Sequence, residues 1–209
     1  MSYAEVSDKL LHDFLIIWAT IDPIGTMALF AALTAKLSSK ERIKTAYKTI
    51  IYTVLILVGA ILVGQVLLSA MGISLISFQV SGGVILFLFG LQMVFSNNTP
   101  EKTGEPMHDI SVFPLAIPAT ASPGAILAVI LITDNNIYTV QEQMMTTATV
   151  LVVLVITLLL LLFSGGIIRI IGHGGASLLT RIMGMILAAL SVEFIMEAIG
   201  VANWVQTMS

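Results

Sequence analysis

The chain contains no cysteine, and only 10% of its 209 residues are charged. The lack of cysteine excludes disulfide bonds, thiolate metal sites and cysteine nucleophiles. The scarcity of charge, with 57% hydrophobic residues and a mean hydropathy of +1.03, excludes the profile of a soluble globular domain. A net charge of −3 also argues against a nucleic-acid partner. The sequence therefore predicts an integral membrane protein whose surroundings are the lipid bilayer.

Motifs of common enzyme and cofactor sites are missing as well. The sequence has no nucleophile elbow, no phosphate-binding loop and no metal-ligand motif. Its Gly-rich SGG stretches, 81–83 and 164–166, lie within apolar segments and are typical of helix packing. We expect no enzymatic activity, no cofactor and no metal.

Six segments are long and apolar enough to cross a bilayer, which takes about 20 residues of helix. Apolar runs such as 150–163 do not alternate with polar residues, so strands of a membrane barrel are not predicted. We expect one transmembrane domain, 1–209, with a first half at 1–96, a polar central loop at 97–111 and a second half at 112–209. The predicted spans are 14–35, 46–70, 78–96, 112–133, 144–170 and 179–200.

The orientation of these spans follows from the basic residues, which are in excess in cytoplasmic loops. Eight of the nine Lys and Arg residues fall at the first, third and fifth connections, and only Lys9 falls on the other side. Both termini are therefore predicted to lie on the non-cytoplasmic side. An even number of spans requires both termini on one side, so the span count agrees with the charge distribution.

The two halves contain a weak internal repeat. Ala19-Thr20-Ile21-Asp22-Pro23 is matched 100 positions later by Ala119-Thr120-Ala121-Ser122-Pro123. Further along, Gly72 matches Gly172, and Gln92 matches Glu193 one place out of step. Since each half has three spans, the halves must have opposite orientations. We predict an all-α fold of two inverted three-helix repeats.

The repeated motif predicts a break in the first and fourth spans, near the bilayer midplane. Asp22 and Ser122 are preferred N-cap residues, and each precedes a proline, which is favoured at the first position of a helix. Non-helical backbone at this depth is tolerated only inside protein or beside a water-filled cavity, and helix N-termini attract anions. The breaks therefore predict a site for a small solute. Its candidate residues are Thr20, Asp22, Gly25, Thr26, Thr120, Ser122 and Gly124.

Two alternatives stay open for these residues. The prolines and glycines could only shape packed helices, and Asp22 could act only as an N-cap. A charged Asp22 would instead suit an ammonium group or a proton. Glu193, an acid inside the last predicted span, is a second candidate for proton coupling, or a neutral hydrogen-bonded side chain.

Several motifs resemble the MarC family, also described as six-span neutral amino acid transporters and similar to LysE-type exporters. These are Asp22-Pro23-Ile24-Gly25 with Phe30, 114–118 followed by Pro123-Gly124-Ala125-Ile126, 82–87 and 181–189. The chain departs from the family pattern at Thr26-Met27-Ala28, where Asn-x-Pro is usual, and at Ser122, where glycine is usual.

The resemblance implies an inner-membrane carrier of small neutral amino acids such as glycine or alanine, with coupling to protons as an expectation. Together with the breaks, it favours a secondary transporter that works by alternating access. A channel, a structural membrane protein and an exporter of another small solute remain the alternatives, although a channel would require a continuous polar lining.

Overall fold

The structure is a computed structural model of the chain and describes residues 3–95 and 109–200. All regular secondary structure in these two ranges is helical, which confirms the predicted all-α class. Most of the predicted central loop, 97–111, lies outside them. The helices are α1 (Tyr3–Ile21), α2 (Pro23–Leu33), α3 (Ser39–Ala70), α4 (Leu75–Phe95), α5 (Ser111–Thr120), α6 (Pro123–Leu131) and α7 (Val140–Ala198).

Four segments of the described chain are long and apolar enough to cross a membrane: Val6–Leu33, Ser39–Ala70, Leu75–Phe95 and Val140–Ile167. Helices α5 and α6 add a fifth if they form one span, bent by 54°. The sixth predicted span, 179–200, overlaps the last part of α7. Gly172 separates that part from the rest of α7, because its φ of 72° and ψ of 165° are not helical. The total of six spans stays a prediction.

Helices α3 and α7 both begin at a capping box, which satisfies amide groups that the first turn of a helix leaves free. At α3, the Ser38 hydroxyl accepts the Glu41 N–H, and the Glu41 carboxylate accepts the Ser38 N–H. Thr139 and Glu142 make the same exchange at α7. Hydrogen bonds within the first turn therefore fix where each of these two long helices begins.

Helix α5 is irregular. Phe113 and Ile117 have extended φ and ψ angles, and each directly precedes a proline, Pro114 or Pro118. Proline disfavours the helical conformation of the residue before it and removes an amide donor. The predicted span 112–133 is therefore irregular in its first half as well as interrupted at Ser122.

The beginning of α5 is tied to α3 by polar contacts. The Lys48 ammonium group donates to the Asp109 carboxylate at 2.5 Å, and the Ser111 hydroxyl donates to the same carboxylate. These hydrogen bonds lower the pKa of Asp109 to about 2, with the Lys48 bond contributing most. Thr49 also donates to the Ser111 carbonyl at 3.2 Å. These contacts thus hold the beginning of α5, the first helix in the second half of the chain, against α3 in the first half.

One apolar core joins residues from every helix, including Ile17, Phe30, Leu57, Leu86 and Leu187, all buried. The most extensive helix contact in the described chain lies between α4 and α7, where the backbones approach at glycines. Close approach at small residues is the usual way in which membrane helices pack. The core positions the ends of α1, α2, α5 and α6 against each other, and the candidate site lies there.

Candidate functional site

The first candidate element is the junction of α1 and α2. Asp22 lies between them in the left-handed conformation, with φ of 46° and ψ of 70°. Its Oδ1 accepts the Gly25 N–H at 3.0 Å, and its carbonyl accepts the Thr26 N–H at 2.9 Å. A Cβ at Gly25 would lie 2.0 Å from Asp22 Oδ2. Glycine at position 25 is therefore what lets the carboxylate fold back over the first turn of α2.

The second element is the junction of α5 and α6. Ser122 has an extended conformation, as most N-caps do, and its Oγ accepts the Ala125 N–H at 3.0 Å. A Cβ at Gly124 would lie 2.0 Å from Leu86 Cδ1, and Leu86 is fully buried. Both helices thus start at the predicted caps, with Pro23 and Pro123 as their first residues. The depth of these starts in the bilayer stays a prediction.

The two junctions touch each other. The Ser122 hydroxyl donates to the Thr20 carbonyl at 2.8 Å, which joins residues 102 positions apart. The Thr26 hydroxyl lies 3.3 Å from the carbonyl oxygens of Ala119 and Ile21. These contacts bring the repeated motifs together inside the protein. We call Thr20, Asp22, Thr26, Thr120 and Ser122 the junction cluster; all five are at most 6% exposed.

Two hydroxyls of the junction cluster are turned toward their own helices. Thr20 donates to the Ile16 carbonyl at 2.8 Å, and Thr120 donates to the Leu115 carbonyl at 2.7 Å. Each bond runs from a threonine to a carbonyl four or five positions earlier in the same helix. In this conformation, therefore, Thr26 and Ser122 connect the junctions, whereas Thr20 and Thr120 donate locally.

Asp22 differs from Asp13 and Asp109 because no cation pairs with it in the described residues. Lys9 pairs with Asp13 at 3.0 Å, and Lys48 pairs with Asp109. Asp22 is only 6% exposed, and its hydrogen-bond donor is a backbone amide. A buried carboxylate without a cation is costly unless it binds a proton or another positive group. The arrangement thus suits a proton or an ammonium group.

Sequence reasoning missed the burial of Asp13. Its carboxylate accepts hydrogen bonds from Lys9 and from the Thr146 hydroxyl, the latter at 2.5 Å. The Lys9 ammonium group also lies 4.1 Å from the centre of the Tyr138 ring. This network fastens α1 to the beginning of α7. Only the Lys9–Asp13 spacing of four residues could have been found in the sequence, because the other contacts span more than 120 positions.

A second buried acid, Asp134, lies in the connection between α6 and α7. Its Oδ1 accepts hydrogen bonds from the Gln65 side chain at 2.9 Å and from the Asn136 amide groups. The Gln65 Oε1 in turn accepts the Asn135 N–H at 3.0 Å. Neutral amide donors therefore satisfy Asp134, and it holds the connection against α3.

Glu193 is exposed and lies apart from the junction cluster. It lines a cleft of about 240 Å³ together with His12, Gln79, Tyr138 and Glu197, and no residue of the junction cluster lines that cleft. Gln79 donates to Glu197 at 3.1 Å across it. The structure therefore does not bring together Asp22 and Glu193, the two acids that the sequence suggested for proton coupling.

Comparison with known proteins decides the family. The family model described as "MarC family integral membrane protein" matches residues 8–203. This chain belongs to the MarC family. A MarC relative named "UPF0056 inner membrane protein MarC", from Salmonella paratyphi A, is 29% identical over 198 residues, covering 85% of this chain and 88% of its own length. A "UPF0056 membrane protein" from Buchnera aphidicola is 31% identical over 194 residues, with coverage of 89% and 90%. No solved structure matches this chain significantly.

Membership of the MarC family confirms the resemblance predicted from the motifs and makes this chain an integral membrane protein. In this MarC protein, two side chains of the junction cluster reach from one junction to the other: Thr26 and Ser122. These two side chains form the hydrogen bonds between the junctions.

Proposed function

We propose that this chain is a secondary transporter of small neutral amino acids, such as glycine or alanine, in the inner membrane. The observation that carries the proposal is the buried carboxylate of Asp22, which no cation of the described residues pairs with, at the place where two capped helix starts meet. A zwitterion would supply the missing positive charge through its ammonium group. Its carboxylate would face the first turns of α2 and α6, where backbone amides favour an anion.

Asp22 also makes coupling to protons part of the proposal. A carboxylate in the protein interior must be neutralised whenever the ammonium group of the substrate leaves, because an isolated buried charge is costly. A proton bound to Asp22 would meet that need during the return of the empty carrier. Substrate and proton would then occupy Asp22 in turn.

The proposed architecture is an inverted repeat of three spans and three spans, with the junctions near the bilayer midplane. Two pairs of matched residues support it. Asp22 and Ser122 both cap a helix that begins with proline, and Gly72 and Gly172 both have positive φ, 68° and 72°. Inverted repeats are common in secondary transporters, whose sites lie at the repeat interface near the midplane. Alternating access would move one repeat against the other around the junction cluster.

A rearrangement is part of this proposal, because the junction cluster is tightly packed. Ser122 is bonded directly to the Thr20 carbonyl, and neither the Glu193 cleft nor a second cleft beside Arg42 is lined by the cluster. A solute would enter only when the contacts between the junctions open. The Ser122–Thr20 and Thr26–Ala119 hydrogen bonds are the ones that would break.

The test is uptake of labelled glycine and alanine by the purified full chain in proteoliposomes, with and without an imposed pH gradient. We expect uptake that saturates with substrate concentration and changes when the pH gradient is imposed. Protein-free liposomes give the background. Flux that rises linearly with concentration would indicate a channel, and the absence of flux for every small neutral amino acid tested would overturn the proposal.

Both termini are proposed to lie on the non-cytoplasmic side. This follows from the eight-to-one asymmetry of basic residues, since cytoplasmic loops hold the excess of Lys and Arg. Reporters fused after Ser209 and inserted at Lys102 should therefore report opposite sides of the membrane. Both positions lie outside the described residues, and the experiment needs only their place in the sequence. The same side for both reporters would contradict the span count or the inverted repeat.

A further inference from the structure

A second cleft, of about 320 Å³, lies between the beginning of α3 and the middle of α7. Its wall includes Ser39, Arg42, Ile43, Phe163, Gly165 and Gly166, none of which belongs to the junction cluster. Arg42 provides the one charged side chain of this lining. We call it the Arg42 cleft.

The Arg42 guanidinium group is held in place but not neutralised. Its Nη2 donates to the Ser164 hydroxyl at 2.6 Å, and the group lies 5.8 Å from the centre of the Phe30 ring. Its Nε is buried and has no hydrogen-bond partner among the residues that the structure describes. A guanidinium group carries five N–H donors, so most of its capacity stays unused within the described chain.

No acid in the described residues pairs with Arg42. The ion pairs found there are formed by Lys9 and Lys48, with His12 close to Asp13. Glu41, the neighbour of Arg42 in sequence, is already bound to Ser38 in the capping box of α3. A partly buried cation without an anion is costly, and this cost points to an anion from outside the described residues.

The walls of the cleft leave room beside the guanidinium group. A Cβ at Gly165 would lie 3.0 Å from Arg42 Nη1, so glycine keeps this approach open, and a Cβ at Gly166 would meet nothing within 4 Å. The rim is apolar, because Ile43 is 50% exposed and Phe163 is 65% exposed. A charged group beside an apolar rim is the environment of a lipid headgroup with its acyl chains alongside.

We propose that the Arg42 cleft binds a phosphate oxyanion. Arginine suits this group, because its planar fork donates two parallel hydrogen bonds to phosphate oxygens. Ser39, Arg42 and Ile43 place one wall of the cleft at the first connection, and residues 161–163 and 165–166 of its other wall lie near the end of the predicted fifth span. This is the side predicted to hold eight of the nine basic residues and to face the anionic cytoplasmic leaflet. The oxyanion can come from an anionic phospholipid or from a soluble phosphate, and both present the same chemistry to Arg42.

Binding to the purified full chain in neutral detergent tests the proposal, with phosphatidylglycerol and inorganic phosphate as separate probes. Arg42→Gln should weaken binding at least about tenfold, as expected when a hydrogen-bonded charge is removed. Lys44→Gln is the matched control, because Lys44 is exposed on the same helix and does not line the cleft. It should bind nearly as the unmodified chain does.

A second variant keeps the charge of Arg42 and fills the space beside its guanidinium group. Gly165→Val would place side-chain atoms against Arg42 Nη1, so it should also weaken binding while Arg42 remains. This variant decides the matter if Arg42→Gln fails to fold. Binding of phosphatidylglycerol alone would assign the oxyanion to lipid, and competition by inorganic phosphate would assign it to a soluble ion. Equal binding by the unmodified chain, the Lys44→Gln control and the cleft variants would overturn the proposal.

Discussion

Asp22→Asn is expected to reduce substrate transport by at least about tenfold while the protein still folds and inserts. Asparagine caps a helix about as well as aspartate and also tolerates the left-handed conformation of residue 22, so the start of α2 should be kept. It cannot balance an ammonium group or exchange a proton. Loss of a charge-assisted hydrogen bond, about 1.5 to 3 kcal/mol, gives a decrease of this size. Initial uptake rates in proteoliposomes measure it.

Two further variants separate the charge of Asp22 from its structural roles. Asp22→Ala removes the cap and leaves an alanine in the left-handed region, which together should destabilise the protein by about 2 kcal/mol. Asp22→Gly removes the charge but accepts positive φ, and a glycine cap is only a few tenths of a kcal/mol weaker. We therefore expect Asp22→Gly to unfold near the temperature of the unmodified chain and still to lack transport.

The matched control is Asp8→Asn, which removes an exposed carboxylate from the same segment of the chain. It should leave both uptake and stability close to their original values. If Asp22→Asn transports normally, the carboxylate acts only as a cap. If Asp22→Ala also transports normally, residue 22 has neither role.

Local chemistry made the helix starts of this protein readable from the sequence. Asp22-Pro23 and Ser122-Pro123 each combine a cap with a proline at the first helical position, and both signals act within one turn. The all-helical class followed from the length and composition of the apolar segments. The left-handed conformation of Asp22 was not predicted, because it depends on how α1 and α2 meet rather than on the cap alone.

Contacts between distant residues could not be read in the same way. Ser122 bonds to Thr20 over 102 positions, and Arg42 bonds to Ser164 over 122. No pattern in a single sequence pairs residues so far apart. In the sequence, Arg42 was therefore only one of the eight basic residues that predict the orientation of the spans. Which polar side chains bond to each other in the interior depends on which helices pack together. The packing of the helices depends in turn on the whole apolar core.

The contact between α4 and α7 allows a direct test of the helix packing, because backbone atoms of the two helices lie against each other there. A Cβ at Gly90 would lie 2.8 Å from the Gly184 carbonyl oxygen and 2.9 Å from the Ala188 nitrogen. A Cβ at Gly184 would lie 2.8 Å from the Gly90 carbonyl oxygen. Real Cβ atoms do not approach other atoms so closely, and backbone atoms cannot rotate away as a side chain does. Any larger residue must push the helices apart.

We therefore expect Gly90→Ala and Gly184→Ala each to destabilise the protein by about 1 to 3 kcal/mol, the usual cost of overpacking a core. Gly59→Ala in α3 is the matched control, because a Cβ there would meet nothing within 4 Å. Alanine favours helix over glycine by up to about 1 kcal/mol, so the control should be equally or more stable. Thermal unfolding in detergent measures all three. If Gly90→Ala proved as stable as Gly59→Ala, the close crossing of α4 and α7 would be wrong.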